Sequence, residues 1–83
     1  MNIYVGNLGY KVSGEDLRTL FEEYGDVSDA KIINDRFNGR SKGFGFVVME
    51  NDSDAKKAIM KLSGTTLENR QIIVNEAHES KNY

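Results

Sequence analysis

The run Lys42-Gly43-Phe44-Gly45-Phe46-Val47-Val48-Met49, with Ile3-Tyr4-Val5-Gly6-Asn7-Leu8 well upstream of it, concentrates the residues of this chain that can do chemistry. A strand sends alternate side chains to opposite faces. If the later run is extended, Lys42, Phe44, Phe46 and Val48 share one face, and Gly43, Gly45, Val47 and Met49 the other. A half-buried strand ordinarily turns its phenylalanines to the core. Here the glycines take the side where helices can approach closely, and the rings sit with a lysine. Tyr4 lies between Ile3 and Val5, so its ring joins Phe44 and Phe46 if the two strands are neighbours. Exposed rings beside a cation are suited to stacking on nucleic-acid bases while contacting phosphate.

The elements that must position these rings follow from the hydrophobic pattern. Ile3 to Leu8 is expected as a short strand, left by a loop at Gly9, Tyr10 and Lys11. Ser13 with Asp16 has the spacing of a capping box, and acids at 15 and 16 suit the positive end of a helix beginning near residue 14. Leu17, Leu20, Phe21 and Tyr24 recur at three and four residues, one apolar stripe, with Gly25 expected as a left-handed cap. A strand over 27–34 would turn Val27, Ala30 and Ile32 inward and leave Lys31 and Ile33 on the other face. Residues 35–41 form a turn around Asn38-Gly39, a hairpin signal that returns the ring-bearing strand antiparallel. Asn51, Asp52 and Ser53 offer N-caps for a second helix. Its apolar face is Ala55, Ala58, Ile59 and Leu62, it ends at Gly64, and Lys56, Lys57 and Lys61 are its solvated side. A last strand is expected near residues 71–75, with Ile72 and Val74 inward and Ile73 and Asn75 outward. Before it, Asn69 occupies a turn position that tolerates positive φ.

The order is strand, helix, strand, strand, helix, strand. This predicts an α+β fold, a ferredoxin-like βαββαβ sandwich with a four-stranded antiparallel sheet and both helices on one face. The first and third strands become central neighbours, which places Tyr4 beside Phe44 and Phe46. With 83 residues the chain supports one small core. The expected division is a single domain over residues 1–77 and a frayed tail over 78–83. No cysteine is present, so disulfides and thiolate metal sites are excluded. No apolar run approaches a membrane span, which predicts a soluble, cytoplasmic protein with no membrane partner. The formal charge of −2 argues against polybasic binding. Its distribution is uneven: Glu15, Asp16, Glu22, Glu23 and Asp26 crowd the first helix and the turn after it, while Arg36, Arg40 and Lys42 cluster with no acid among them.

The octapeptide fits the longer ribonucleoprotein motif of the RNA-recognition-motif (RRM) family at every fixed position but the last. There Met49 replaces an aromatic on the face assigned to the core, and a flexible apolar side chain fills much the same space. Ile3 to Leu8 resembles the family's shorter hexapeptide motif, in the right order and at the right spacing. The chain is thus similar to RRM domains over residues 2 to about 77, and within them to short single-RRM bacterial RNA-binding proteins and to the RRM of glycine-rich RNA-binding proteins. The resemblance implies a single-stranded RNA partner. Tyr4 and Phe46 would each stack on a base, Phe44 would lie against the sugars, and Lys42 would pair with a phosphate. Asn7, in the shorter motif, would be an RNA contact, and Asn75 with the backbone to Ala77 would read base edges, with Glu76 and His78 close by. Lys31, Arg36 and Arg40 would flank the platform as phosphate contacts.

Some residues stay open between roles. Phe37, a ring in a polar hairpin, either folds back over the sheet edge or supplies an extra stacking surface. Tyr10, at the end of the first loop, poses a similar choice, with packing the favoured role. Single-stranded DNA is an alternative ligand, since it uses the same rings and differs mainly in lacking the 2′-hydroxyl. The resemblance also allows a secondary protein partner on the helical face of a monomer, and a role in post-transcriptional regulation or RNA chaperoning. An enzyme is the weakest alternative. The one histidine lies in the tail, the pattern places no carboxylate pair except on the exposed helix or in loops, where catalysis needs polar groups converging in a pocket, and no spacing suits a metal or a cofactor.

Overall fold

The computed structural model describes residues 1–34 and 41–77, with the side chains of Asn34, Ser41 and Lys42 set aside. Residues 35–40, with the expected Asn38-Gly39 turn and Arg36, Phe37 and Arg40, and residues 78–83, with His78, lie outside the described residues. Strands β1 (Asn2–Gly6), β2 (Asp29–Asn34) and β3 (Ser41–Val48) and helices α1 (Gly14–Glu22) and α2 (Asp52–Leu62) are followed by β4 (Thr66–Leu67), β5 (Arg70–Gln71) and β6 (Ile73–Ala77). The main sheet has the order β2-β3-β1-β6, and every pairing in it is antiparallel. This is the expected ferredoxin-like arrangement, with β1 and β3 at the centre.

Each helix begins where the chemistry of its first turn requires. Ser13 Oγ accepts from the Asp16 amide at 3.2 Å, and the Asp16 carboxylate accepts from the Ser13 amide at 2.9 Å, so two otherwise orphaned donors are satisfied reciprocally. Asn51 caps α2 by accepting from the Asp54 amide at 3.0 Å. Leu17 and Phe21 of α1 and Ala55, Ala58 and Leu62 of α2 turn into a core shared with Ile3, Val5, Val47, Met49, Ile72 and Val74. The short alanines let α2 lie close on the sheet, and Met49 does fill a fully buried place. Arg18 Nη1 reaches back to the Val27 carbonyl at 2.8 Å and pins the turn that leads from α1 into β2.

The boundaries differ from expectation in five places. Strand β1 stops at Gly6 rather than Leu8, because Asn7 adopts a left-handed φ of 57° that no extended ladder accommodates. Strand β2 begins at Asp29 rather than 27, with Val27 buried just ahead of it. Gly25 is not a left-handed cap. Helix α1 ends with Glu23 in the right-handed region, and a Cβ on Gly25 would run into the Asp54 side chain, so this glycine admits α2. Gly43 is not a plain strand residue facing a helix. It takes φ +86° opposite a register irregularity between Ile32 and Asn34, while Gly45 is held small by the backbone of β2 rather than by a helix. The last strand runs over Ile73–Ala77 rather than 71–75, because Arg70 and Gln71 pair with Leu67 and Thr66 in a separate hairpin. Its two-residue turn, Glu68-Asn69, has both φ values positive, 51° and 64°, as a tight hairpin needs.

Candidate nucleic-acid interface

The strand register brings the candidate residues together on the face away from the helices. Lys31 stands opposite Phe46, Phe46 opposite Tyr4 and Tyr4 opposite Asn75, so one row crosses all four strands. Directly opposed residues of antiparallel strands share a face. The neighbouring row toward the start of β1 joins Asp29, Val48, Asn2 and Ala77. On the other side, Phe44 falls beside Gly6, which pairs with Ile73.

The three rings form a near-equilateral triangle. Tyr4 and Phe44 have centroids 5.9 Å apart with planes inclined by 30°. Phe46 stands edge-on to both, at 6.0 Å from each, with interplanar angles of 66° to Tyr4 and 86° to Phe44. Such tilted and edge-on contacts suit the ring quadrupoles. The rings half-bury one another and leave their outer surface to solvent. Gly6 is part of this geometry: a Cβ there would lie 2.8 Å from Cε2 and Cζ of Tyr4, so the tyrosine ring leans along β1 over the glycine. The sequence pattern did not reveal that function for Gly6, although a glycine two residues after an outward ring is the signal for it.

The remaining candidates divide. Lys31 is exposed at the end of the central row, and Asn75 is exposed across from Tyr4. Ala77 closes β6 in register with Asn2. Asn7 stands at the edge of the platform with its amide engaged inside the protein: Nδ2 donates to the Gln71 carbonyl at 2.7 Å, and Oδ1 accepts from Arg70 Nη1 at 3.3 Å. Lys42 lies on β3, but its side chain is outside the described set, as are Arg36, Phe37, Arg40 and His78. Two expectations change. Glu76 is in register with buried Ile3 and therefore on the opposite face from Tyr4. Tyr10 does not pack; it is 71% exposed, because the turn closed by the Val12 amide on the Gly9 carbonyl sends Leu8 and Val12 inward and leaves Tyr10 at its tip.

Electrostatically the face is uneven in the direction the sequence suggested. Among the described residues the outer face of the main sheet carries one acid, Asp29, at a corner, while Glu15, Asp16 and Glu22 of α1 and Asp52 and Asp54 of α2 lie on the helical side. Among the described residues, no three or more His, Cys, Asp or Glu side chains are grouped to hold a metal ion, and no helix is long and apolar enough to cross a membrane.

A sheet of this order, with two helices behind it and an aromatic triangle in front, defines a class of α+β domain built to leave one sheet face open. Residues 3–73 match the RNA recognition motif family, and the chain belongs to it. It is 51% identical over 77 residues to RNA-binding protein CP31B, chloroplastic, of Arabidopsis thaliana, covering 93% of this chain and 27% of that protein. It is 47% identical over 74 residues to glycine-rich RNA-binding protein 8 of the same plant, covering 89% of this chain and 44% of that one. The chain therefore spans less than half the length of these two relatives. In structure it is similar to RNA binding protein PG1, with a TM-score of 0.93, 51% identity and 99% of each chain covered. It is also similar to the Sxl-lethal protein/RNA complex, with a TM-score of 0.90, 28% identity, and 98% of this chain and 48% of that one covered. A third similar structure is the Rna15 RRM with bound RNA (GU), with a TM-score of 0.83, 26% identity, and 96% and 85% covered.

Proposed function

We propose that the outer sheet face binds single-stranded RNA. The observation that carries this reading is the central row from Lys31 through Phe46 and Tyr4 to Asn75, one cation, two rings and one amide in register across the sheet. Family membership and the relatives named as RNA-binding proteins support it. Tyr4 and Phe46 each take a base, Phe44 lies against the sugars, and Lys31, Arg36, Arg40 and Lys42 contact phosphate. Asn75 and the backbone to Ala77 read base edges. Asn7 serves the site by holding the edge of the platform, and Phe37 serves as an added stacking surface or a cover for the sheet edge. Single-stranded DNA engages the same rings more weakly where 2′-hydroxyl contacts are lost.

The domain acts as a monomeric binding module rather than an enzyme, in the cytoplasm, in post-transcriptional regulation or RNA chaperoning. A groove of about 270 Å³ between α1 and the β4–β5 hairpin, floored by Val12, Leu20 and Leu67 and rimmed by Asp16, Glu23 and Glu68, favours a secondary protein partner on the helical side.

Stacking is worth roughly 1–3 kcal/mol per base, so two stacks give roughly micromolar binding once ordering costs are met. Titration of labelled mixed-sequence single-stranded RNA against wild type and Tyr4→Ala/Phe46→Ala tests the reading, with circular dichroism to show that both are folded. Micromolar binding lost in the folded double variant is the expected result. If the double variant binds as wild type does, the rings are not the platform. If neither protein binds, the sheet face serves a protein and the RNA reading fails.

A further inference from the structure

Two surfaces away from the ring platform are opposite in shape and in charge. The first is the groove between α1 and the β4–β5 hairpin, about 270 Å³. Its helical wall is Asp16, Leu20 and the capping Glu23, spaced so that they share one side of α1, and Leu67 and Glu68 stand across from them. The floor is apolar and the rim carries three carboxylates, none of them in an ion pair among the described residues. The second surface is the outer side of α2. Ala55, Ala58 and Leu62 face the core, which turns Met60 outward, and Met60 is 77% exposed. Lys56 and Lys57, one turn before it on the same side, are exposed too and in no ion pair among the described residues. Every other exposed residue of α2 is polar. A solvent-facing methionine adds little to the fold, and its flexible, polarizable side chain is suited to filling an irregular pocket.

We propose that these surfaces are partners: Met60 of one copy enters the groove of a second copy and rests on Leu20 and Leu67, while Lys56 and Lys57 meet the carboxylates at the rim. Complementary charge favours a second copy, because the lysine-flanked apolar residue that the groove calls for is one this chain already carries. Among the described residues no part of α2 lines the groove, so each copy offers both surfaces at once. The proposal rests on the reading of a protein partner on the helical side and deepens it by naming that partner. A contact of one side chain and a few exposed ion pairs is small beside stable interfaces, which bury roughly 1,200–2,000 Å², so the dilute chain is monomeric. Neither surface includes a ring of the platform. Copies held on one RNA strand meet at raised local concentration, and there the contact makes neighbours bind cooperatively. That consequence depends on the RNA-binding reading; the contact itself does not.

The test follows sedimentation velocity and amide NMR shifts from dilute to concentrated protein, without RNA, with melting temperatures to show that every variant is folded. Wild type is expected to associate weakly, less so at high salt, with shifts both at Met60 and at Leu20 and Leu67. Met60→Ser should weaken the association by at least about tenfold, the scale of burying one such side chain. Lys56→Glu/Lys57→Glu and Glu23→Lys/Glu68→Lys should each fail to self-associate, and a mixture of the two should regain association, because the reversed α2 face of one variant meets the reversed groove of the other. Wild type that stays monomeric at every concentration would overturn the proposal. So would association that shifts Met60 without the groove, or a mixture of the folded charge variants that stays dissociated. Titrating wild type with a short peptide carrying a methionine flanked by lysines then separates the two readings. Shifts confined to the groove would keep a protein partner there and remove only the second copy, and no shifts would remove both.

Discussion

Strands β1 and β3 present two faces built from alternate residues of the same short segments, and those faces do opposite things. Toward the helices, Ile3, Val5, Val47 and Met49 are wholly buried against Leu17, Phe21 and the alanines of α2. Toward solvent, Tyr4, Phe44, Phe46 and Val48 are half-buried, the three rings lie against one another, and among the described residues no second layer covers them. Removing apolar area from water stabilises a fold by about 25 cal/mol per Å², so the larger rings would stabilise this fold more on the inner face. Their place on the outer face separates aliphatic packing behind the sheet, which makes the fold, from planar surfaces in front, which the proposed function assigns to RNA. Charge follows the same division, with acids on the helices and Lys31 at the platform.

If this division is real, substitutions on the two faces should fail different assays. Phe21→Ala empties a fully buried site and should cost about 3–5 kcal/mol of stability. Chemical denaturation measures this directly, and RNA affinity of the fraction that remains folded should be unchanged. Tyr4→Ala should show the reverse, losing about 1–3 kcal/mol of RNA binding with a smaller loss of stability than Phe21→Ala. A Tyr4→Ala variant that unfolds as readily as Phe21→Ala would mean that the rings are core after all, and the comparison would collapse.

A subtler variant acts at the boundary between the faces. Gly6→Ala adds a methyl group against Cε2 and Cζ of Tyr4 at 2.8 Å, closer than atoms can approach, and the tyrosine ring can swing outward to relieve it. The backbone of Gly6 is not in the left-handed region, so the strand itself tolerates alanine. The expected outcome is a loss of about 1 kcal/mol in RNA affinity, the lower end of one base stack, with the melting temperature nearly unmoved. Wild-type affinity in Gly6→Ala would show that stacking does not depend on where this ring rests.

How much of this arrangement was legible in the sequence depended on whether the governing contact was local. Period-two alternation placed Phe44, Phe46, Val47 and Val48 of β3 on their observed faces, and the Ser13–Asp16 spacing located the start of α1, because both signals act within a few residues. Gly25 was misread for the complementary reason: a glycine after a helix usually caps it, but here the constraint comes from Asp54 on the other helix. The hairpin of β4 and β5 was missed because Glu68 carries no local preference for the positive φ it adopts beside Asn69. Tyr10 was expected to pack because aromatic area is usually buried, whereas its loop is closed by Leu8 and Val12 instead. In the site, residue types indicated the rings and their neighbours, while the lean of Tyr4 over Gly6 and the clamp on Asn7 depend on strand pairing that only the folded chain reveals.

The smallest expected effect sharpens the electrostatic half of the comparison. Lys31 stands on the outer face opposite Phe46, and Lys57 is exposed on α2, away from the sheet face. Both side chains are single cations, so Lys31→Gln and Lys57→Gln change net charge equally, and a nonspecific attraction would weaken equally with each. A phosphate bound at the platform distinguishes them, because only a cation in contact releases a counterion from the strand. Lys31→Gln should flatten the slope of log affinity against log salt by about 0.7, and Lys57→Gln should leave it in place. Equal slopes for the two variants would assign the role of Lys31 to general solubility, and would leave phosphate contact to the other basic residues of the β2–β3 hairpin.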